Sequence, residues 1–217
     1  MKKFTGALGV LGLLVGSVVF GQDAGQRYAI DSGASELHWL VYKAGSLSRL
    51  GHNHAIAVAD LHGNVWKDDA NLAASRFEIE FSVANLVTDD PTLRSTLGAD
   101  FASVPTPKDI EGTRGNMLGN RVLDGAKFPT IRIAGTGPVG RDGEQTMAVT
   151  VEILGRSVPL TIPAQVSVES DVITASGEFE LNHADLGMKP FTAMLGALQV
   201  GEKLSFRYSI KARRETR

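Results

Sequence analysis

Apolar and polar residues alternate with a period of two along most of this chain. The cleanest stretch has Phe77, Ile79, Phe81 and Val83 interleaved with Arg76, Glu78, Glu80 and Ser82. A strand sends successive side chains to opposite faces, so this pattern predicts a half-buried strand. The same period sets Leu37, Trp39 and Val41 against Glu36, His38 and Leu40, and it returns at Met147–Ile153, Ile173–Leu181 and Leu204–Ile210. The longest run is Val158, Leu160, Ile162, Ala164, Val166 and Val168. Pro159 and Pro163 sit on its opposite parity; proline cannot donate to a ladder, so a free edge or a bulge is expected there. Turn signals at Asp31-Ser32-Gly33, Asp142-Gly143, Gly155-Arg156 and Ser170-Asp171 separate the runs.

Helical patterns do not alternate with the strands, which disfavours a parallel α/β fold. Eight or more short-looped strands with one buried face each call for a sandwich or a closed antiparallel barrel, and closure removes exposed edges. The period fails between Thr88 and Lys127, which holds Pro91, Pro105 and Pro107. A short helix over Asn116–Leu123, burying Met117, Leu118 and Val122, is expected inside this insertion. Long irregular connections are often functional or mobile.

One stretch joins the alternation to chemistry. His52, His54, Ile56 and Val58 share a parity, so two imidazoles stand on an otherwise apolar strand face. His183 has the parity of Phe179 and Leu181. Buried polar groups need partners, water or a ligand. His52 and His54 lie roughly 7 Å apart along the backbone, close enough to reach one metal ion with a third ligand from elsewhere. Buried histidines hydrogen-bonded to neighbours, and polar contacts to the head of a bound amphiphile, are the other two readings. His38 has the outward parity of Glu36 and is expected at the surface.

Composition narrows the setting. Met1 to Gly21 has Lys2 and Lys3 ahead of an uncharged run, Ala7 to Val19, and a small-x-small pair at Val19 and Gly21. These are the marks of an export signal, and the run is short for a bilayer span. Gln22 to Gln26 reads as a linker and 27–213 as one domain, not membrane-spanning once the signal is removed. Of 22 Lys and Arg, 20 then remain against 24 Asp and Glu, a net charge of −4. That argues against nucleic acid as the partner. The chain has no cysteine, so an exported form relies on packing rather than disulfides, as suits a periplasm. No nucleophile elbow or phosphate loop is present, so no catalytic residue and no cofactor are expected.

Five stretches, in order, resemble the YceI-like family: Tyr28-Ala-Ile-Asp31 with Ser35-Glu-Leu-His-Trp39, Ser75 to Thr88, Phe128-Pro-Thr-Ile131, Leu154-Gly-Arg-Ser-Val-Pro159, and Asn182-His-Ala-Asp-Leu-Gly-Met188. The resemblance implies an all-β fold, a closed antiparallel lipocalin-like β-barrel with a short helical insertion, exported and associated with polyisoprenoid binding. The expected function is therefore to hold an isoprenoid-type lipid, a polyisoprenoid or a quinone, inside the barrel. The alternative is a metal-binding protein or metal-dependent enzyme using His52 and His54. The inward positions Leu37, Trp39, Val41, His52, His54, Phe77, Ile79, Phe81, Phe179, Leu181, His183, Phe206 and Tyr208 are the candidate ligand contacts. The sparse basic residues favour a neutral head over a phosphate.

Overall fold

The computed structural model describes residues 25–215 apart from Asp142 and Glu144. The expected signal at 1–21 lies outside these residues, as does Asp142 of one expected turn. The strands are β1 (Gln26–Ile30), β2 (Glu36–Ala44), β3 (His54–Val58), β4 (His62–Lys67), β5 (Arg76–Ser82) and β6 (Leu86–Thr88), followed after an insertion by β7 (Thr130–Val139), β8 (Gln145–Ile153), β9 (Arg156–Glu169), β10 (Val172–Asn182), β11 (Thr192–Ala193) and β12 (Leu198–Arg214). The insertion carries the helices α1 (Pro91–Ser95) and α2 (Pro107–Leu118).

The first six strands are three long strands, each broken by a bend. A 3-10 turn at Ser32–Ala34 separates β1 from β2, and another at Val83–Asn85 separates β5 from β6. Both halves keep the same neighbours: β1 pairs with β4 and β2 with β3, while β4 pairs with β5 and β3 with β6. From β5 the order runs through β7, β8, β9 and β10 to β12. One edge of β12 then takes both β1 and β2, which closes an eight-stranded antiparallel barrel. Each strand is thus beside its predecessor, the arrangement that short turns allow.

Alternation sets the two faces as expected. Ile56, Trp39, Phe206 and Phe179 stand opposite one another across β3, β2, β12 and β10. Phe179 stacks on Phe206 with centroids 5.1 Å apart, and Trp39 lies 6.1 Å from Phe206. At the packed end, Tyr28, Ile173 and Ala212 form a buried plug.

The barrel wall is unpaired in two places. β7 pairs with β5 but not with β6, and α2 lies along that edge, where the Arg114 guanidinium donates to the carbonyls of Ala84 and Leu86. β9 pairs with β10 only from Gln165 to Glu169, so its first part has β8 as its sole ladder partner. Pro159 and Pro163 both fall in this free-edged part, as their missing N–H groups demand. The Pro163 carbonyl instead accepts the Tyr208 hydroxyl at 2.7 Å. Gly177 permits that approach, since a Cβ there would stand 2.5 Å from the same carbonyl.

Three local expectations are corrected. The helix spans 107–118 rather than 116–123. Thr106 and Asp109 form a reciprocal capping box with Pro107 in the first turn, and the chain leaves the helix at Gly119. Met117, Leu118 and Val122 do pack against the core, but from the helix end and the following turn. The β8–β9 turn is Leu154-Gly155, both with positive φ, so Arg156 already pairs with Ile153. His38 points outward but is buried, 5 % exposed, between its cross-strand partners Ala57 and Arg207. Parity identified its face; cross-strand neighbours decided its exposure.

Candidate functional site

A cavity of about 300 Å³ occupies the barrel interior toward the end that carries the insertion. Its walls include Leu37, Trp39, Val41, Phe81, Phe179, Leu181 and Phe206, and His52, His54 and His183 line it as well. Phe77, Ile79 and Tyr208 do not line it. They have the right parity but do not border the cavity: Phe77 packs against the core and lies against Gly135, Ile79 belongs to the buried core, and Tyr208 is buried with its hydroxyl on Pro163. Parity specifies a face and says nothing of depth along the axis. They are corrected here from cavity contacts to packed core.

The register explains why the histidines share one end. His54 pairs with Val41, Val41 with Leu204, and Leu204 with Leu181, so these four form one row near the mouth. His183 follows β10 directly, and its Nδ1 is 2.9 Å from the Glu202 carbonyl. His52 precedes β3 and sits at the rim, with Nδ1 3.2 Å from Ser103 Oγ and Nε2 3.9 Å from an Asp109 oxygen. Asn53 points away from both histidines. It accepts the Lys43 N–H and donates to the Asp100 carbonyl, tying the insertion to the barrel.

The most heavily built polar feature was not anticipated from sequence. Asp89, with its side chain fully buried, accepts at 2.6 Å from His54 Nδ1 and at 2.9 Å from the Ala55 N–H. Arg94 donates to the other side of the same carboxylate at 2.5 Å and to the carbonyls of Asn53, Phe101 and Ser103. Burial alone raises a carboxyl's pKa, but the bonds from His54, the Ala55 amide and Arg94 outweigh it and hold Asp89 below the ordinary carboxylate range. Asp89 adopts a left-handed φ of 57°, and its own N–H donates to Ala55. Asp90 caps α1, and Arg94 lies on that helix. Thr88-Asp-Asp-Pro91 reads as a helix start in the sequence, but nothing there announces that Asp89 faces His54.

His52 and His54 meet edge to face with centroids 6.3 Å apart. Among the described residues, no group of three or more His, Cys, Asp or Glu side chains could hold a metal ion. His54 Nδ1 is already engaged by Asp89, and its Nε2 faces Thr113 Oγ1 of α2 at 3.4 Å. Also among the described residues, Lys43 is the one Lys or Arg that lines the cavity, and its ammonium donates to the Gly51 carbonyl. No helix among them is long and apolar enough to cross a membrane.

Solved structures share this barrel. Burkholderia cenocepacia BcnA superposes with a TM-score of 0.59 at 12% identity, over 84% of this chain and 98% of that one. A polyisoprenoid-binding domain from Saccharophagus degradans, implicated in plant cell wall breakdown, gives a TM-score of 0.55 at 11% identity, over 87% and 98%. The Campylobacter jejuni YceI protein gives 0.52 at 13% identity, over 74% and 85%. No curated protein sequence matches the chain. A family model described as the YceI-like domain matches residues 28–212, and on that match the chain belongs to the YceI-like family.

Proposed function

We propose that this protein carries an amphiphilic isoprenoid-type lipid, a neutral polyisoprenoid or a quinone, in the periplasm after its signal is removed. The observation that supports this best is the division of the cavity: aromatic and aliphatic walls below, and imidazoles at the mouth. A ligand with an apolar body and a small polar end matches that division. The loops at the mouth are apolar too. Leu50, Val104, Met194 and Leu195 are exposed there, and hydrogen bonds join their loops through Leu47 to Ala197 and His52 to Ser103. The polyisoprenoid-binding domain with the same fold favours an isoprenoid among such ligands.

A neutral head fits better than a phosphate. Both terminal nitrogens of Arg94 are taken by Asp89 and backbone carbonyls, and among the described residues Lys43 is the one Lys or Arg that lines the cavity. Phosphate recognition ordinarily uses several charge-assisted bonds. The chemistry present is that of binding, with the export signal supporting a periplasmic site. The test is native mass spectrometry of protein purified from the periplasm of its own cells. A co-purified isoprenoid or quinone mass is expected. Protein found only in the cytoplasm, or without lipid and unable to take up added prenyl alcohols and quinones, would overturn the reading.

A further inference from the structure

The buried bonds behind His54 give the cavity's polar end a direction. Asp89 is an acceptor on both oxygens. One oxygen already takes the Ala55 N–H and Arg94, and the other lies 2.6 Å from His54 Nδ1. Arg94 supplies the positive charge that the buried carboxylate needs, so the bond asks of His54 only an N–H. A carboxylate and a bare ring nitrogen cannot bond without a proton between them, which puts the proton on Nδ1. A neutral imidazole protonated there presents a lone pair at Nε2. This is the second-sphere arrangement by which a carboxylate sets a histidine's tautomer.

Nε2 is also underused. Its protein neighbour is Thr113 Oγ1 at 3.4 Å, long for an O–H to N bond. His54 lines the cavity, so a ligand's polar end can approach this atom. His183 repeats the logic. It is buried, its Nδ1 faces the Glu202 carbonyl, which can only accept, and so its Nε2 is an acceptor as well. His54 and His183 line the same cavity from strands three spacings apart around the wall, β3 and the end of β10.

We infer that His54, held by Asp89 and Arg94, selects apolar ligands whose polar end donates a hydrogen bond. A hydroxyl-headed isoprenoid or a hydroquinone is favoured over the ether- or carbonyl-headed counterpart with the same tail. The inference rests on the carrier reading and narrows its ligand class. His54 is the specificity-determining residue, and Asp89 and Arg94 are positioning residues that act through it.

The test is calorimetric titration of the purified protein with geranylgeraniol and with its methyl ether. The alcohol is expected to bind about tenfold more tightly, the worth of one net hydrogen bond. His54→Ala is expected to bring the ratio to about one. Asp89→Asn lets an amide N–H donate to Nδ1 and moves the ring proton to Nε2, from which alcohol and ether oxygens both accept, so it is expected to abolish the preference. If Asp89→Asn does not fold, ¹⁵N shifts of His54 in the unaltered protein decide: a proton on Nδ1 with a bare Nε2 at pH 7 supports the inference, and a protonated Nε2 overturns it. Equal binding of alcohol and ether overturns the selectivity and leaves the carrier reading standing. Binding of neither overturns both.

Discussion

His54 and Asp89 lie 2.6 Å apart through Nδ1 and Oδ2, although 34 residues of turn and strand separate them in the chain. The contact joins the cavity wall to the start of the insertion. Asp89 has no side-chain exposure and Arg94 has 7 %, so the ion pair behind His54 is shielded from water.

Removing one partner of a buried ion pair leaves the other charge uncompensated. Arg94→Met is therefore expected to destabilise the protein by about 3–5 kcal/mol in urea unfolding at pH 7. The insertion is expected to loosen with it, since the guanidinium also holds Asn53, Phe101 and Ser103. Faster amide exchange over 99–106 than in the β7–β10 sheet would report that loosening. Unchanged stability would contradict the structural role given to the pair.

Two acid windows are expected. Burial, with Arg207 adding to it, holds the His38 imidazole below its ordinary 6.5. The unfolded chain then takes up that proton first, so stability falls as pH drops below about 6.5. His38→Phe is expected to flatten this part of the profile. Asp89 is also held below its ordinary 3.8, and its contribution is complete above that value and lost as pH falls through the lower folded one. Denaturant midpoints measured from pH 8 to pH 2 resolve the two.

Burial pushes the Tyr208 hydroxyl up to about 12 from an ordinary 10.0. Between these values the unfolded chain has lost the proton and the folded chain retains it. Stability is therefore constant below pH 10 and declines from there toward pH 12, by about 2–3 kcal/mol at full separation. Tyr208→Phe removes this decline. At pH 7 the same substitution costs about 1 kcal/mol, because the bond to the Pro163 carbonyl goes with it.

The packed and hollow parts of the barrel are expected to respond differently to truncation. Ile79 is 8 % exposed in the filled interior, and Ile79→Ala is expected to cost about 2–5 kcal/mol. Phe206 borders the cavity, and the space beside it already lacks contacts. Phe206→Ala is expected to cost about 2 kcal/mol, below the range for a fully packed phenylalanine, and to change uptake of a fluorescent prenyl probe. Equal losses with unaltered uptake would mean that the interior is filled throughout.

The faces of this barrel were legible from Phe77-Glu78-Ile79-Glu80-Phe81 and its counterparts, because a strand's side-chain period is a local property of the backbone. Pro159 and Pro163 marked the free-edged part of β9 for an equally local reason, the missing N–H. The helix at 107–118 was also written in the chain, in Thr106-Pro107-Lys108-Asp109, but its few apolar residues hid it from a search for amphipathic patterns.

Depth, exposure and partnership were not legible. Phe77 and Phe179 share the same inward parity, yet one packs on Gly135 and the other borders a cavity, because the neighbours each meets inside the barrel come from other strands. His38 reads as a surface residue until Arg207 is placed across from it. Gly51-His-Asn-His54 announced two imidazoles on one face, and the meander's register brought His183 to the same end. Asp89 and Arg94, which decide what His54 can offer a ligand, lie in the aperiodic insertion. Periodicity carries information only where the backbone is regular; a hydrogen bond between distant loops exists only once the closed barrel holds both ends in place.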